Sequence, residues 1–170
     1  GLCAGNYCVT VTDSIGNTSF SCVEVFNMTL DVDIDSVNPI CINESAIIMA
    51  HSVTSATYLW NNGQTNNQIS VTPTSNTNYS VTATDENNCQ GNSSIEIIVN
   101  PLPVLNISAD NSTICFGDTA NITVTSDITG TNFEWSTTET GNNISVSPSS
   151  NTTYYVTATS PDGCKAETQI

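Results

Sequence analysis

The stretch that decides the fold is Asn76-Thr77-Asn78-Tyr79-Ser80-Val81-Thr82-Ala83-Thr84-Asp85, followed at position 89 by a cysteine. Tyr79, Val81 and Ala83 alternate with Ser80, Thr82 and Thr84, the period-2 pattern of a strand that turns one face to a core. The same writing returns as Asn151-Thr152-Thr153-Tyr154-Tyr155-Val156-Thr157-Ala158-Thr159-Ser160, with Cys164 at the matching offset. A third copy stands near the start, as Tyr7-Cys8-Val9-Thr10-Val11-Thr12-Asp13. The copies lie about 75 residues apart, which is the spacing of a repeated small domain.

The residues between the copies repeat as well. Cys41 corresponds to Cys115, and Ala46, Ile48 and Ala50 correspond to Ala120, Ile122 and Val124. Tyr58 and Trp60 match Phe133 and Trp135, and Ile69-Ser-Val71-Thr-Pro73 matches Ile144-Ser-Val146-Ser-Pro148. Seven short strands per unit, separated by Gly, Pro and Asn turns, predict an all-β chain of tandem Ig-like antiparallel β-sandwiches. Residues 1–26 are expected to be the last hairpin of a preceding repeat, 27–100 one sandwich, and 101–170 a second sandwich cut short in its last strand. On that reading the chain is a fragment of a longer protein. Trp60, Trp135, Tyr79 and Tyr154 are the expected core aromatics. Asn100-Pro101-Leu102-Pro103 would form a stiff, extended link between the units.

Seven cysteines in so acidic a chain point to an oxidising, extracytoplasmic compartment. Cys41 and Cys89 are 48 residues apart and Cys115 and Cys164 are 49 apart, so one bridge per domain, Cys41–Cys89 and Cys115–Cys164, is expected. A loop of that size would contribute about 4 kcal/mol by chain entropy. If Thr12 faces Thr18 across a hairpin, Cys8 faces Cys22, within bridging reach. Cys3 would then pair outside the chain, with Cys3–Cys22 as the alternative.

Composition narrows the function. Asn, Ser and Thr fill 69 of 170 positions, Lys165 is the one basic residue, and the net charge is −15. Phosphate contacts need Lys and Arg in number, so nucleic acid is excluded as a partner, and an anionic membrane surface is disfavoured. No apolar run is long enough to span a membrane. With His51 as the one histidine, no Ser-His-Asp set recurs between the copies, no Gly-rich phosphate loop occurs, and no enzymatic activity is expected. No cofactor and no metal are expected. The nearest approach to a cation site is Asp31, Asp33 and Asp35 on one strand face, which lacks the glycine and twelfth-position glutamate of a calcium loop. It reads more simply as a solvated strand edge.

Ten Asn-x-Ser/Thr sequons occur, in keeping with so much Asn, Ser and Thr. Three Asp-Ser/Thr-aliphatic triplets, Asp13-Ser14-Ile15, Asp35-Ser36-Val37 and Asp118-Thr119-Ala120, are rarer and fall at expected turns or strand edges.

Tyr-x-Val-Thr-[Ala/Val]-Thr-Asp with a following Cys, preceded by Pro-x-Ser-Asn-Thr, resembles the Ig-like and PKD-like repeats of large Bacteroidota cell-surface proteins. The opening residues 1–13 are similar to the repeat of their gliding-motility adhesins. The resemblance implies type 9 secretion, attachment at the cell surface and a filamentous, multi-domain shape. It also implies O-glycosylation of Ser14, Ser36 and Thr119, so that the chain would be a glycoprotein. Asn88-Cys89 departs from the usual Gly-Cys, and Cys8 and Cys22 stand where such repeats often have no cysteine.

The expected function is therefore structural: stalk or spacer repeats of a secreted, surface-anchored adhesin serving cell adhesion or gliding motility. The expected location is extracellular, at the cell surface. The alternative is an adhesive module that itself binds polysaccharide or another cell surface, for which residues 63–67 and 137–142 are the variable loops. A further alternative is a set of accessory domains on a secreted hydrolase. Expected partners are neighbouring repeats of the same chain, surface polysaccharide, and the secretion or motility machinery.

Overall fold

The computed structural model describes residues 5–25 and 29–170. Cys3 and Phe26, with the expectations that rest on them, lie outside the described residues. The chain is all-β, with antiparallel Ig-like sheets and, among the described residues, two disulfides.

The first hairpin joins β1 (Gly5–Thr12) to β2 (Thr18–Val25). Its register sets Thr12 opposite Thr18, Thr10 opposite Phe20 and Cys8 opposite Cys22, and the two cysteines are bridged with Cα atoms 4.0 Å apart. Val9 and Val11 carry the alternation that is buried in the later copies, yet both are exposed here.

Next in the chain come β3 (Val32–Ile34), β4 (Ile40–Cys41), β5 (Ala46–Ser52), β6 (Ala56–Trp60), β7 (Gln68–Val71), β8 (Thr77–Asp85), β9 (Gln90–Ile97) and β10 (Val99–Asn100). The closing elements are β11 (Leu105–Ala109), β12 (Ala120–Ser126), β13 (Asn132–Trp135), β14 (Asn143–Val146), β15 (Tyr155–Thr159) and β16 (Lys165–Gln169).

Two compact units result. The first takes in the described residues up to Val37, with Ile47–Val71 and Asn78–Glu96. Its sheets have the orders β3-β5-β7 and β6-β8-β9. Val32, Ile48, Ala50, Ile69 and Val71 are buried on one sheet, and Trp60, Tyr79, Val81 and Ala83 on the other. Alternation explains the selection, since residues two apart on a strand share a face. Gly91 of β9 is buried where the chain passes Leu30, whose N–H donates to the Gln90 carbonyl at 3.2 Å.

The second unit comprises Asn38–Ala46, Thr72–Thr77 and Ile97–Ile170. Sheets β11-β12-β14 and β13-β15-β16 enclose a core of Ala120, Ile122, Val124, Trp135, Ile144, Val146 and Val156. Tyr154 is only partly buried, packed against that core. A short parallel pair, β4 with β10, sets Ile40 beside Val99 and Cys41 beside Asn100.

Among the described residues, six strands rather than seven form the two main sheets in each copy, in the order expected of an Ig-type sandwich without its fourth strand. The indole N–H groups are satisfied alike: Trp60 donates to the Asn66 carbonyl at 2.8 Å and Trp135 to the Gly141 carbonyl at 2.9 Å. A buried ring with a polar edge needs such a partner.

Candidate functional site

The feature most removed from expectation is the arrangement of the cysteines. Cys41 is bridged to Cys164, 123 residues away, with Cα atoms 5.6 Å apart, and Cys89 and Cys115 are free thiols. The expected pairs Cys41–Cys89 and Cys115–Cys164 are therefore not formed.

Strand direction gives the reason. Ala120 opens β12 opposite Val146, where β14 closes, and Thr119 Oγ1 lies 2.9 Å from Ser147 Oγ. Cys115 precedes β12, so it belongs to the end of the sandwich at which β14 stops and the connection to β15 begins. From there β15 runs to Thr159, and only then comes the turn holding Cys164. Five residues of strand span roughly 16 Å, whereas a disulfide tolerates Cα separations of up to about 7 Å. The same connectivity governs the earlier copy. Ser45 Oγ meets Thr72 Oγ1 at 3.0 Å beside the start of β5, and the nine residues of β8 intervene before Cys89. Equal spacing of the cysteines was a true sign of repetition and a poor guide to pairing.

Both halves of the observed bridge are built by recurring turns. Cys41 sits in a tight loop in which its N–H donates to Glu44 Oε2 at 2.9 Å and its carbonyl accepts from the Glu44 N–H at 3.0 Å. Cys115 is held likewise, by Asp118 Oδ2 at 3.2 Å and the Asp118 N–H at 3.0 Å. Asn43 and Gly117 take the left-handed conformation in these loops, with φ of 72° and 90°. The spacing Cys-x-[Asn/Gly]-acid, present twice in the sequence, is the signal by which the loop could have been found.

The other half is the turn after the repeated strand. Cys164 N–H donates to Ser160 Oγ at 3.1 Å, and Cys89 N–H donates to Asp85 Oδ1 at 2.8 Å. In the first hairpin Asn17 occupies the cysteine position, its N–H donating to Asp13 Oδ1 at 2.8 Å. Each turn also closes through a backbone bond from its first residue to the carbonyl of its fifth, at 2.9, 3.0 and 2.8 Å for Asp13, Asp85 and Ser160. Asn17 and the Ile15 and Gly16 N–H groups all donate to Asp13, and its carboxyl is held below the ordinary aspartate value, first by the Asn17 side chain.

Cys164 is fully buried, and its Sγ lies 3.9 Å from the Asn100 carbonyl oxygen, on the strand residue paired with Cys41. Cys115, by contrast, is exposed. It is flanked by Ile114 and by Phe116, which is 87% exposed. Both residues border a cavity of about 550 Å³ whose lining includes Ala120, Val146, Pro148 and Tyr154.

The remaining sequence candidates do not converge. Asp31, Asp33 and Asp35 are exposed, and Asp33 faces His51 in the β3–β5 register. Asp35 Oδ2 lies 3.1 Å from His51 Nε2. Among the described residues no group of three His, Cys, Asp or Glu side chains is placed to hold a metal ion, these three included. Ser14, Ser36 and Thr119 are all exposed, and Thr119 shares its hydroxyl with Ser147. Trp60 and Trp135 are each 2% exposed, so neither offers a stacking platform.

Residues 103–170 match the family model of the Ig-like domain, CHU_C associated. No curated protein is matched in sequence. Among solved structures the chain is similar to one described as "Ca2+-stabilized adhesin helps an Antarctic bacterium reach out and bind ice", at 14% identity and a TM-score of 0.45, covering 96% of this chain and 54% of that one. It is also similar to the N-terminal four Ig domains of Dscam1 isoform 4.4, at 13% identity and a TM-score of 0.28, covering 91% and 50%. The chain thus spans about half the length of each.

Proposed function

We propose that this chain is a run of spacer repeats in a secreted, surface-anchored, filamentous adhesin, without catalytic activity of its own. The observation that carries the reading is the Cys41–Cys164 bridge, which ties one copy of the sequence repeat covalently to the next. A spacer must transmit load without lengthening, and a cross-link between successive repeats serves that purpose directly. The disulfides support an oxidising, extracellular setting. Among the described residues no helix is long and apolar enough to cross a membrane.

The acidic surface supports the same reading, since chains of like charge remain soluble and apart when held at a surface. Its partners would be further repeats of its own kind. Secretion by the type 9 pathway, a role in gliding and sugars on Ser14, Ser36 and Thr119 belong to this proposal.

Force spectroscopy on the chain held by its two ends tests it. Without reductant, the residues between Cys41 and Cys164 should add no length beyond the bridge. With reductant, their 123-residue separation should release roughly 430 Å of contour. Release of that length without reductant would remove the load-bearing argument. Binding of the isolated chain on a glycan array would replace the spacer by the adhesive-module reading.

A further inference from the structure

We infer that Cys115 and Cys89 are the two open halves of the same bridge, each made to join a further copy of this repeat. Cys115 is presented by the loop that presents Cys41, with the same carboxylate bond to its N–H and a left-handed residue at the same position. Cys89 is presented by the turn that presents Cys164: its N–H donates to the side chain at the first turn position, Asp85 Oδ1 for Cys89 and Ser160 Oγ for Cys164, and the closing backbone bonds are the same. In this chain one loop cysteine meets one turn cysteine, and one of each is left over.

The surroundings agree with an unfilled position. Ile42, which follows the bridged Cys41, is partly covered and donates its N–H to the Asn100 carbonyl at 3.0 Å. Phe116, which follows Cys115, stands exposed and borders a cavity lined by both apolar and hydroxyl or amide side chains. The occupant is the turn of another repeat, of the form Ser160-Pro161-Asp162-Gly163-Cys164, delivering its sulfur to Cys115. By the same rule Cys89 takes the loop cysteine of a repeat on its other side. The result is a ladder in which every bridge joins the loop of one repeat to the turn of the following one.

Bridge formation removes two electrons and two protons from the two thiols. A small disulfide such as oxidised glutathione accepts them by thiol–disulfide exchange, leaving two glutathione thiols and one protein disulfide.

The inference rests on the observed bridge and not on the spacer reading, so a chain that bound a glycan could still form the ladder. Its test is an extended chain in which a second copy of residues 96–170 follows Ile170, which continues β16 as Ile95 is continued by Glu96. After folding in a glutathione redox buffer, alkylation and peptide mapping without reduction locate every bridge. The expected map joins Cys115 to the added copy of Cys164, and alkylation of Cys115 falls at least tenfold relative to the 170-residue chain. Cys115→Ser should return the added turn cysteine to the free state and leave Cys41–Cys164 intact. Scoring is restricted to molecules that contain Cys41–Cys164, which marks correct folding of the parent repeats. Cys115 left as a thiol in those molecules, or joined to Cys89, overturns the inference. Before that restriction is applied, a preparation in which Cys41 is bridged mainly to Cys89, or to any cysteine other than Cys164, also overturns it.

Discussion

Cys41 and Cys164 are 123 residues apart in the chain and are joined by a disulfide, with Cα atoms 5.6 Å from each other. Closing so long a loop constrains the unfolded chain strongly, and loss of such a bridge costs about 2–5 kcal/mol. Cys41→Ala should therefore lower the unfolding free energy by that amount in chemical denaturation followed by far-ultraviolet circular dichroism. Cys115→Ala, at an exposed thiol, should stay within about 0.5 kcal/mol of the parent. Equal losses in the two variants would restore the pairing inside each repeat.

The turn that ends the repeated strand needs a residue at positive φ. Gly16 and Gly163 supply it at 91° and 86°, and Asn88 does so at 63°. Asn tolerates that conformation and a β-branched side chain does not. Asn88→Gly should leave stability within about 0.5 kcal/mol, and Asn88→Val should cost about 1–2 kcal/mol. A tolerated valine would show that the turn adapts.

Gly91 is required for a different reason. A Cβ at this buried position would run into the Leu30 carbonyl oxygen and Val32 Cγ2. Gly91→Ala should destabilise by about 1–3 kcal/mol, as overpacking in a filled core does. Thermal unfolding of the variant checks this, and an unchanged midpoint would mean that the chain near Leu30 moves aside without cost.

Asp110 accepts from the N–H and side-chain amide of Asn121, both at 2.9 Å, and from the Asn111 N–H at 2.7 Å. These bonds, led by the Asn121 backbone N–H, hold its carboxyl below the ordinary aspartate value of 3.8. Because the folded value is the lower one, Asp110 contributes stability above the ordinary value and loses it as pH falls through the folded one. Carbon-detected magnetic resonance titration should find its midpoint under 3.8. In Asp110→Ala the acid-induced decline in stability should be shallower. A midpoint above the ordinary value would reverse the sign.

Much of the fold was legible in the sequence. Tyr79-x-Val81-x-Ala83 and its copy at Val156 and Ala158 announced which face is buried, and Trp60 and Trp135 announced the core. The hairpin register followed from matching Thr12 to Thr18, and it set Cys8 opposite Cys22. Tyr154 was less legible. It matches Tyr79 in the repeat, yet its burial depends on how the end of the sandwich is covered, and it is only partly buried.

By itself, the sequence determined the repeat and the inner faces of its main strands, because side-chain alternation is a local property of extended chain and is written residue by residue. Only the tertiary structure decided the partners of Cys41, Cys89, Cys115 and Cys164. Pairing depends on which strand ends meet, and the direction of β8 and β15 carries each turn cysteine away from the loop cysteine of its own repeat. Even spacing along the chain holds no record of that direction.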